Sequence, residues 1–176
     1  CLRSALAAKV TAVVVPKVGT VAYLDEISSI LDGAGAPAEL KIWAMIETPT
    51  AIFDVRAIAA HPRVAVLVMG TNDLAREIRS RLGAADRHPL VPHLATALLA
   101  AREAGKAILD GVYNDVKDLD GFRAECVQGM EMGFDGKTLI HPGQVEIANE
   151  VWAPSEAEVE HARRVIDAFD EGLREG

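Results

Sequence analysis

A parallel α/β fold is the class this sequence predicts, on three observations. Short β-branched runs alternate five times with longer Ala/Leu-rich stretches, as repeated βα units do. Two runs, Val10–Val15 and Val64–Met69, are almost continuously apolar, the pattern of strands buried on both faces of a parallel sheet. The five strand centres lie about 23 to 41 residues apart, room for a crossover helix in every interval.

The elements follow in order. Val10–Val15 is the first strand. Thr20–Leu31 places Val21, Leu24, Ile27, Ile30 and Leu31 on one helical stripe and stops before Gly33. Ile42–Ile46 is the second strand, and the helix Thr50–Ala60 starts after Pro49 and ends before Pro62. Val64–Met69 is the third strand. Pro92–Ala104 repeats Leu94, Leu98 and Ala101 and ends at Gly105. Ala107–Leu109 is the fourth strand, Gly121–Met132 a helix closed by Gly133, and Lys137–Ile140 the fifth strand. Ser155–Glu171 opens with Ser155 as N-cap and Glu158 three residues on, a capping box. Its apolar positions Val159, Ala162, Val165, Ile166 and Phe169 exceed what a solvated terminal helix needs, so part of it is expected to pack on another subunit.

Composition narrows the function. The 176 residues are 50% hydrophobic and carry a formal net charge of −8, so a folded core is expected and a phosphate backbone would repel the chain. Nucleic acid is therefore not an expected partner. No apolar run approaches the roughly 20 residues that span a bilayer. Cys1 and Cys126 form no disulfide framework and have no metal-ligand spacing, so a cytoplasmic location is expected. No signal peptide is recognisable, and the start at Cys1 rather than Met reads as a trimmed one. A single domain over 1–176 is expected, with no linker or repeat. A closed eight-stranded barrel needs roughly 250 residues. The chain is thus either a complete five-stranded open sheet or the larger part of a barrel.

Catalytic groups in such folds collect where strands end. Those positions are Pro16-Lys17, Glu47-Thr48-Pro49, Gly70-Thr71-Asn72-Asp73, Asp110-Gly111 and His141-Pro142. Glu47 and Asp73 end consecutive apolar strands, and neighbouring strands lie under about 5 Å apart. Two hard oxygen donors with no His or Cys beside them suit Mg²⁺. The competing reading is that each carboxylate contacts the N-terminus of its own next helix. Lys17 would bind an anionic substrate or hold a carboxylate; a solvated lysine is the plainer alternative. His141 would donate to a ligand or be satisfied by loop backbone. His61, His88, His93 and His161 fall in turns or helices. Gly33-Ala34-Gly35 follows no strand and is no dinucleotide loop. Asp118-Leu119-Asp120-Gly121 starts like a calcium loop and lacks the later ligands. Asn114-Asp115 reads as a turn or a helix entry.

Taken together the strand ends carry a resemblance. Val15-Pro16-Lys17, Met45-Ile46-Glu47-Thr48, Gly70-Thr71-Asn72-Asp73-Leu74, Leu109-Asp110-Gly111-Val112-Tyr113 and Gly133-Phe134-Asp135-Gly136-Lys137-Thr138-Leu139-Ile140-His141-Pro142-Gly143-Gln144 occur in that order. The set resembles the citrate lyase β-subunit-like branch of the HpcH/HpaI aldolase/citrate lyase family. The last stretch is the most specific, because it separates the thioester lyases from the small pyruvate aldolases.

The resemblance implies a phosphoenolpyruvate/pyruvate-type TIM barrel of which this chain holds strands four to eight and a C-terminal helix. Strands one to three, with the family's enolate-stabilising arginine, and the C-terminal lid, with an aspartate offered to a neighbouring subunit, would lie outside it. It further implies Mg²⁺ on Glu47 and Asp73, and the backbone N–H groups of Asn72 and Asp73 facing a 2-oxo acid carboxylate. His141, Pro142 and Asp110 would lie near the CoA arm. The implied activity is reversible cleavage of a malyl-, citramalyl- or citryl-type thioester into acyl-CoA and a 2-oxo acid by a homotrimer. A Mg²⁺-dependent pyruvate aldolase that uses no CoA and a non-catalytic thioester-binding homologue are the rivals.

Overall fold

The computed structural model describes residues 10–81 and 87–175. Five parallel strands run in the order β1 (Ala12–Val15), β2 (Lys41–Ile46), β3 (Val64–Met69), β4 (Ala107–Asp110) and β5 (Gly136–Lys137). Spatial order equals chain order. The strand sequence never reverses, so the sheet has no topological switch point of the doubly wound kind.

Among the described residues seven α-helices connect and follow the strands: α1 (Val21–Gly33), α2 (Pro49–Ala60), α3 (Thr71–Glu77), α4 (Val91–Glu103), α5 (Leu119–Met132), α6 (Val145–Trp152) and α7 (Glu156–Glu175). Local chemistry sets their ends. Thr20 caps α1 by accepting from Tyr23 N–H at 3.3 Å, and Thr48 caps α2 by accepting from Ala51 N–H at 3.1 Å with Pro49 at the first helical position. Asp118 caps α5 by accepting from Gly121 N–H at 2.9 Å, and Gly133 closes it in a left-handed conformation at φ 102°. The calcium-like Asp118-to-Gly121 stretch is therefore a helix cap. Ser155 and Glu158 form the expected capping box through bonds of 2.7–3.2 Å.

Side-chain alternation divides the sheet. Ile42, Ala44, Ile46, Leu67, Met69 and Ile108 face the helical layer and are buried with Leu24, Val55, Ile58 and Leu94. Each such large aliphatic side chain contributes about 1.5–3 kcal/mol by leaving water. Val14, Trp43 and Met45 occupy the alternate positions and line a cleft on the other face.

Three expectations change. Val14 is 56% exposed, because β1 is the edge strand of the described sheet and its cleft face is uncovered, so β1 is not buried on both sides. The fifth strand shrinks from Lys137–Ile140 to Gly136–Lys137. The side-chain Oε1 of Gln144 takes the Ile140 N–H at 3.1 Å, which withdraws that group from the ladder. The segment after β3, expected as a loop, is the short helix α3; its N-cap Gly70 makes no side-chain cap bond, so the sequence carried no start signal. The helix α7 is amphipathic and carries Val165, Ile166 and Phe169 exposed on one stripe, Phe169 at 67%.

Candidate functional site

Because all five strands are parallel, their C-terminal ends share one edge of the sheet. A cleft of about 320 Å³ opens there, with Trp43, Met45 and Val68 in its floor and Glu47, Gly70, Asn72, Asp73, Val112 and Thr138 around it. A broader depression of about 540 Å³ lies between α2 and α4. Its charged groups, Arg56 and Glu103, pair with each other at 2.6 and 2.7 Å, and its surface is otherwise mainly apolar, so the polar groups converge only in the first.

Glu47 follows β2 in phase with Trp43 and Met45, which turns its side chain to the cleft. Thr48 caps the following helix, so the carboxylate does not. It accepts instead from the backbone N–H of Lys17 at 2.7 Å, across the gap from β2 to β1. Lys17 presents that N–H from the left-handed region, at φ 52°, a conformation costing a non-glycine residue roughly 1–2 kcal/mol. Gly70 permits the close approach of Glu47 to β3. A Cβ there would stand 2.3 Å from the Glu47 Cβ and 2.6 Å from its Oε2.

Asp73 lies in the first turn of α3. Its Oδ2 is 3.4 Å from Lys17 Nζ and its Oδ1 is 2.9 Å from Arg76. The negative charge is thus stabilised by two cations as well as by the helix N-terminus. Lys17 links both carboxylates, one through its backbone and one through its ammonium. Asn72 and Asn114 exchange amide hydrogen bonds of 2.9 and 2.7 Å, which joins the β3 end to the loop after β4.

The donor set suits a hard divalent ion. Two carboxylates from adjacent strands line one cleft, and Mg²⁺ characteristically takes one or two carboxylates and keeps waters. Among the described residues, no group of three or more His, Cys, Asp or Glu could hold a metal, so the pair stands without a third side chain.

Three expected residues fall elsewhere. Asp110 is completely buried on the helical side of the sheet. Its neighbour Leu109 pairs in register with Val68, which lines the cleft, and alternation therefore turns Asp110 away from it. There it accepts from Arg87 Nη1 at 2.6 and 2.8 Å, from Lys137 Nζ at 3.0 Å and from Gly111 N–H at 2.7 Å. Glu125 completes the cluster through Lys137 at 2.6 Å. His141 and Pro142 are exposed and do not line the cleft. The His141 Nδ1 accepts from Gly143 N–H at 3.0 Å, the backbone-satisfied role. His61, unassigned from sequence, is likewise structural: it ends α2 and its Nδ1 accepts from Arg63 N–H at 3.2 Å.

Sequence reasoning passed over Val112, Thr138 and Asn114 at the site and Arg87 beneath it. Thr138 was legible by alternation, two positions beyond Gly136. Arg87 carried no local signal, since its partner is 23 residues away. Burial pushes the Cys126 thiol up to about 11, which leaves it a protonated core group.

Comparison with known proteins adds the following. Residues 2–142 match the family model described as HpcH/HpaI aldolase/citrate lyase. The chain is 50% identical over 169 residues to a (3S)-malyl-CoA thioesterase of Cereibacter sphaeroides, covering 96% of this chain and 57% of that protein. It is 37% identical over 145 residues to the citrate lyase subunit beta of Escherichia coli, covering 80% and 46% respectively. The crystal structure of CitE from Mycobacterium tuberculosis in complex with magnesium, acetoacetate and coenzyme A superposes with a TM-score of 0.71 at 26% identity, over 92% of this chain and 58% of that one. The chain thus spans about half the length of these curated relatives.

Proposed function

The chain belongs to the HpcH/HpaI aldolase/citrate lyase family, and from that premise we propose that the full-length protein is a Mg²⁺-dependent carbon–carbon lyase. It cleaves, or forms, a 3-hydroxyacyl-CoA thioester of the malyl, citramalyl or citryl type, giving acyl-CoA and a 2-oxo acid. The observation that carries the reading is Glu47 and Asp73 at adjacent strand ends in one cleft. A related structure with the same fold holds magnesium, a short oxo acid and CoA.

Glu47 and Asp73 are the residues that would hold Mg²⁺. An ion held there would supply Lewis-acid polarisation to substrate oxygens. Lys17 keeps Glu47 oriented through its backbone N–H and offsets the charge of Asp73 through its ammonium. The N–H groups of Asn72 and Asp73, in the first turn of α3, have no intrahelical acceptors and can donate to the substrate carboxylate. Trp43, Met45 and Val68 give an apolar floor that limits water.

The five strands are read as strands four to eight of an eight-stranded barrel, as one partial domain. Their uninterrupted order, the uncovered cleft face of β1 and the length of the relatives support this. A cation facing the thioester oxygen would then come from strands one to three. His141 and Pro142 are placed on the rim that meets the CoA arm. The uncovered stripe Val165, Ile166 and Phe169 on α7 supports association of copies, read as a trimer. No helix among the described residues is long and apolar enough to cross a membrane, and the site of action is read as the cytoplasm.

The 50% identity to a (3S)-malyl-CoA thioesterase favours one second reading, hydrolysis of the same class of thioester. Products separate the two. Full-length protein with Mg²⁺ and (3S)-malyl-CoA should release glyoxylate and acetyl-CoA without free thiol if it is a lyase. Malate with free CoA thiol would establish the hydrolase. Turnover of free hydroxy-oxo acids with no response to any thioester would make it an aldolase.

A further inference from the structure

Besides the Thr138 Oγ1 bond to the Asp110 carbonyl at 3.0 Å, four side-chain links fasten the strand-end loops to one another. Lys17 N–H to Glu47 joins the loops after β1 and β2, and Lys17 Nζ to Asp73 joins those after β1 and β3. The Asn72–Asn114 amide pair joins the ends of β3 and β4. Gln144 makes the fourth: its Oε1 accepts from Ile140 N–H and its Nε2 donates to the Tyr113 carbonyl, both at 3.1 Å. The first two links involve the proposed metal ligands. The last two depend on Asn114 and Gln144, which have no assigned part in binding or chemistry.

Gln144 is fully buried in the 3₁₀ turn Pro142–Gln144. The Gln144 end of both bonds is therefore shielded from water, and losing them would leave its two backbone partners without that side chain. It grips the residue immediately before His141 on one side. On the other it grips Tyr113, whose hydroxyl is anchored on the α5 cap Asp118 at 2.6 Å. The same loop carries Val112 into the cleft wall and Asn114 onto Asn72. The Ile140–Pro142 rim and the Asn72–Asp73 turn are thereby fixed against one short reference segment.

We infer that Gln144 and Asn114 are positioning residues that set the rim after β5 and the turn before Asp73 against the common Gly111–Asn114 loop. The inference rests on the lyase reading, in which that rim meets the thioester and that turn meets the oxo acid.

The test uses full-length protein. Gln144→Met keeps the length of the side chain and removes both bonds. The KM for the thioester should rise about tenfold or more, as expected for removing a buried hydrogen-bonded group, with kcat within about threefold. Exchange of the Ile140 amide hydrogen should accelerate about tenfold while Mn²⁺ affinity, read by electron paramagnetic resonance, stays at the wild-type value. Asn114→Ala, at an exposed site, should raise the KM for the 2-oxo acid in the condensation direction severalfold and leave the thioester KM unchanged. A folded Gln144→Met with wild-type thioester KM overturns the inference. If Gln144→Met does not fold, Asn114→Ala decides, and an unchanged oxo-acid KM overturns it. If the wild type turns over no thioester, the functional reading fails instead. Amide exchange at Ile140 then still tests the Gln144 link, and an unchanged rate overturns it.

Discussion

Glu47 and Asp110 are both carboxylates at the C-terminal ends of strands in one sheet, yet they meet opposite fates. Glu47 lies in phase with the cleft-facing residues of β2, accepts one backbone hydrogen bond and remains at the wall of an open cavity. Asp110 lies out of phase on β4 and is sealed under α5 with Arg87, Lys137 and Glu125. Gly129 makes room for it, since a Cβ there would stand 2.9 Å from its Oδ2. The comparison teaches that a strand-end carboxylate is a candidate ligand only when the two-residue period points it at the cleft. One step of register turns a ligand into a structural ion pair. The energetics differ accordingly. Both carboxylates are buried, Glu47 5% exposed and Asp110 fully enclosed, and a buried charge needs partners to repay its desolvation. Asp110 has two cations in place, whereas Glu47 accepts the Lys17 N–H and lines the cleft, where a ligand can complete its partners.

The largest expected effect separates the two regions by function. Glu47→Gln or Asp73→Asn in the full-length protein should lower Mg²⁺-dependent turnover by about 10³-fold or more, equivalent to about 4 kcal/mol of transition-state stabilisation. Stability should change by no more than about 1 kcal/mol, since neither residue supports the core. Turnover and urea unfolding on the same samples check it, and an active Asp73→Asn enzyme would break the contrast.

Asp110→Ala should do the reverse. Stranding Arg87 and Lys137 in the interior is expected to cost about 3–5 kcal/mol of stability, with Mn²⁺ affinity retained in the folded fraction. Urea denaturation with parallel metal titration measures both. Loss of metal binding without loss of stability would place Asp110 with Glu47 after all.

Gly70→Ala sharpens the cleft side of the comparison. The added methyl would fall within 2.3 Å of the Glu47 Cβ, so Glu47 or β3 must shift. The expected result is about tenfold weaker Mg²⁺ binding, measured by calorimetry, in a protein that still folds. Unchanged affinity would show that Glu47 needs no fixed position.

The smallest effect belongs to the loop between the two regions. The hydrogen bond from Tyr113 holds the Asp118 carboxyl below the usual carboxylate range, and that same bond pushes the Tyr113 hydroxyl up to about 12. A depressed folded-state carboxyl contributes stability above its unfolded value near 4 and loses it as pH falls through the folded value. The raised phenol contributes below about 10 and loses its part as pH rises through about 12. Tyr113→Phe should therefore lower the melting temperature most near neutrality and converge on wild type at both pH extremes, which flattens the profile. A profile parallel to wild type would show that the pair does not couple to folding.

The sequence by itself determined the order and type of the large elements, because each signal is local. A continuous apolar run fixed β3, Pro49 marked the start of α2, Gly133 the end of α5 and Ser155 with Glu158 the start of α7. It also brought Lys17, Glu47, Asn72 and Asp73 to one edge, since parallel strands place their ends together. The phase of Asp110 was readable as well, one residue out of step with Leu109, but strand-end position alone did not count it. Tertiary structure decided what depends on distant partners. The Arg87–Asp110 pair spans 23 residues and the Asn72–Asn114 pair spans 42, and no local pattern encodes such meetings. It also shortened β5, where the Gln144 side chain outcompetes the ladder for Ile140 N–H. A backbone donor goes to whichever acceptor the fold presents, and that choice exists only once the loops have met.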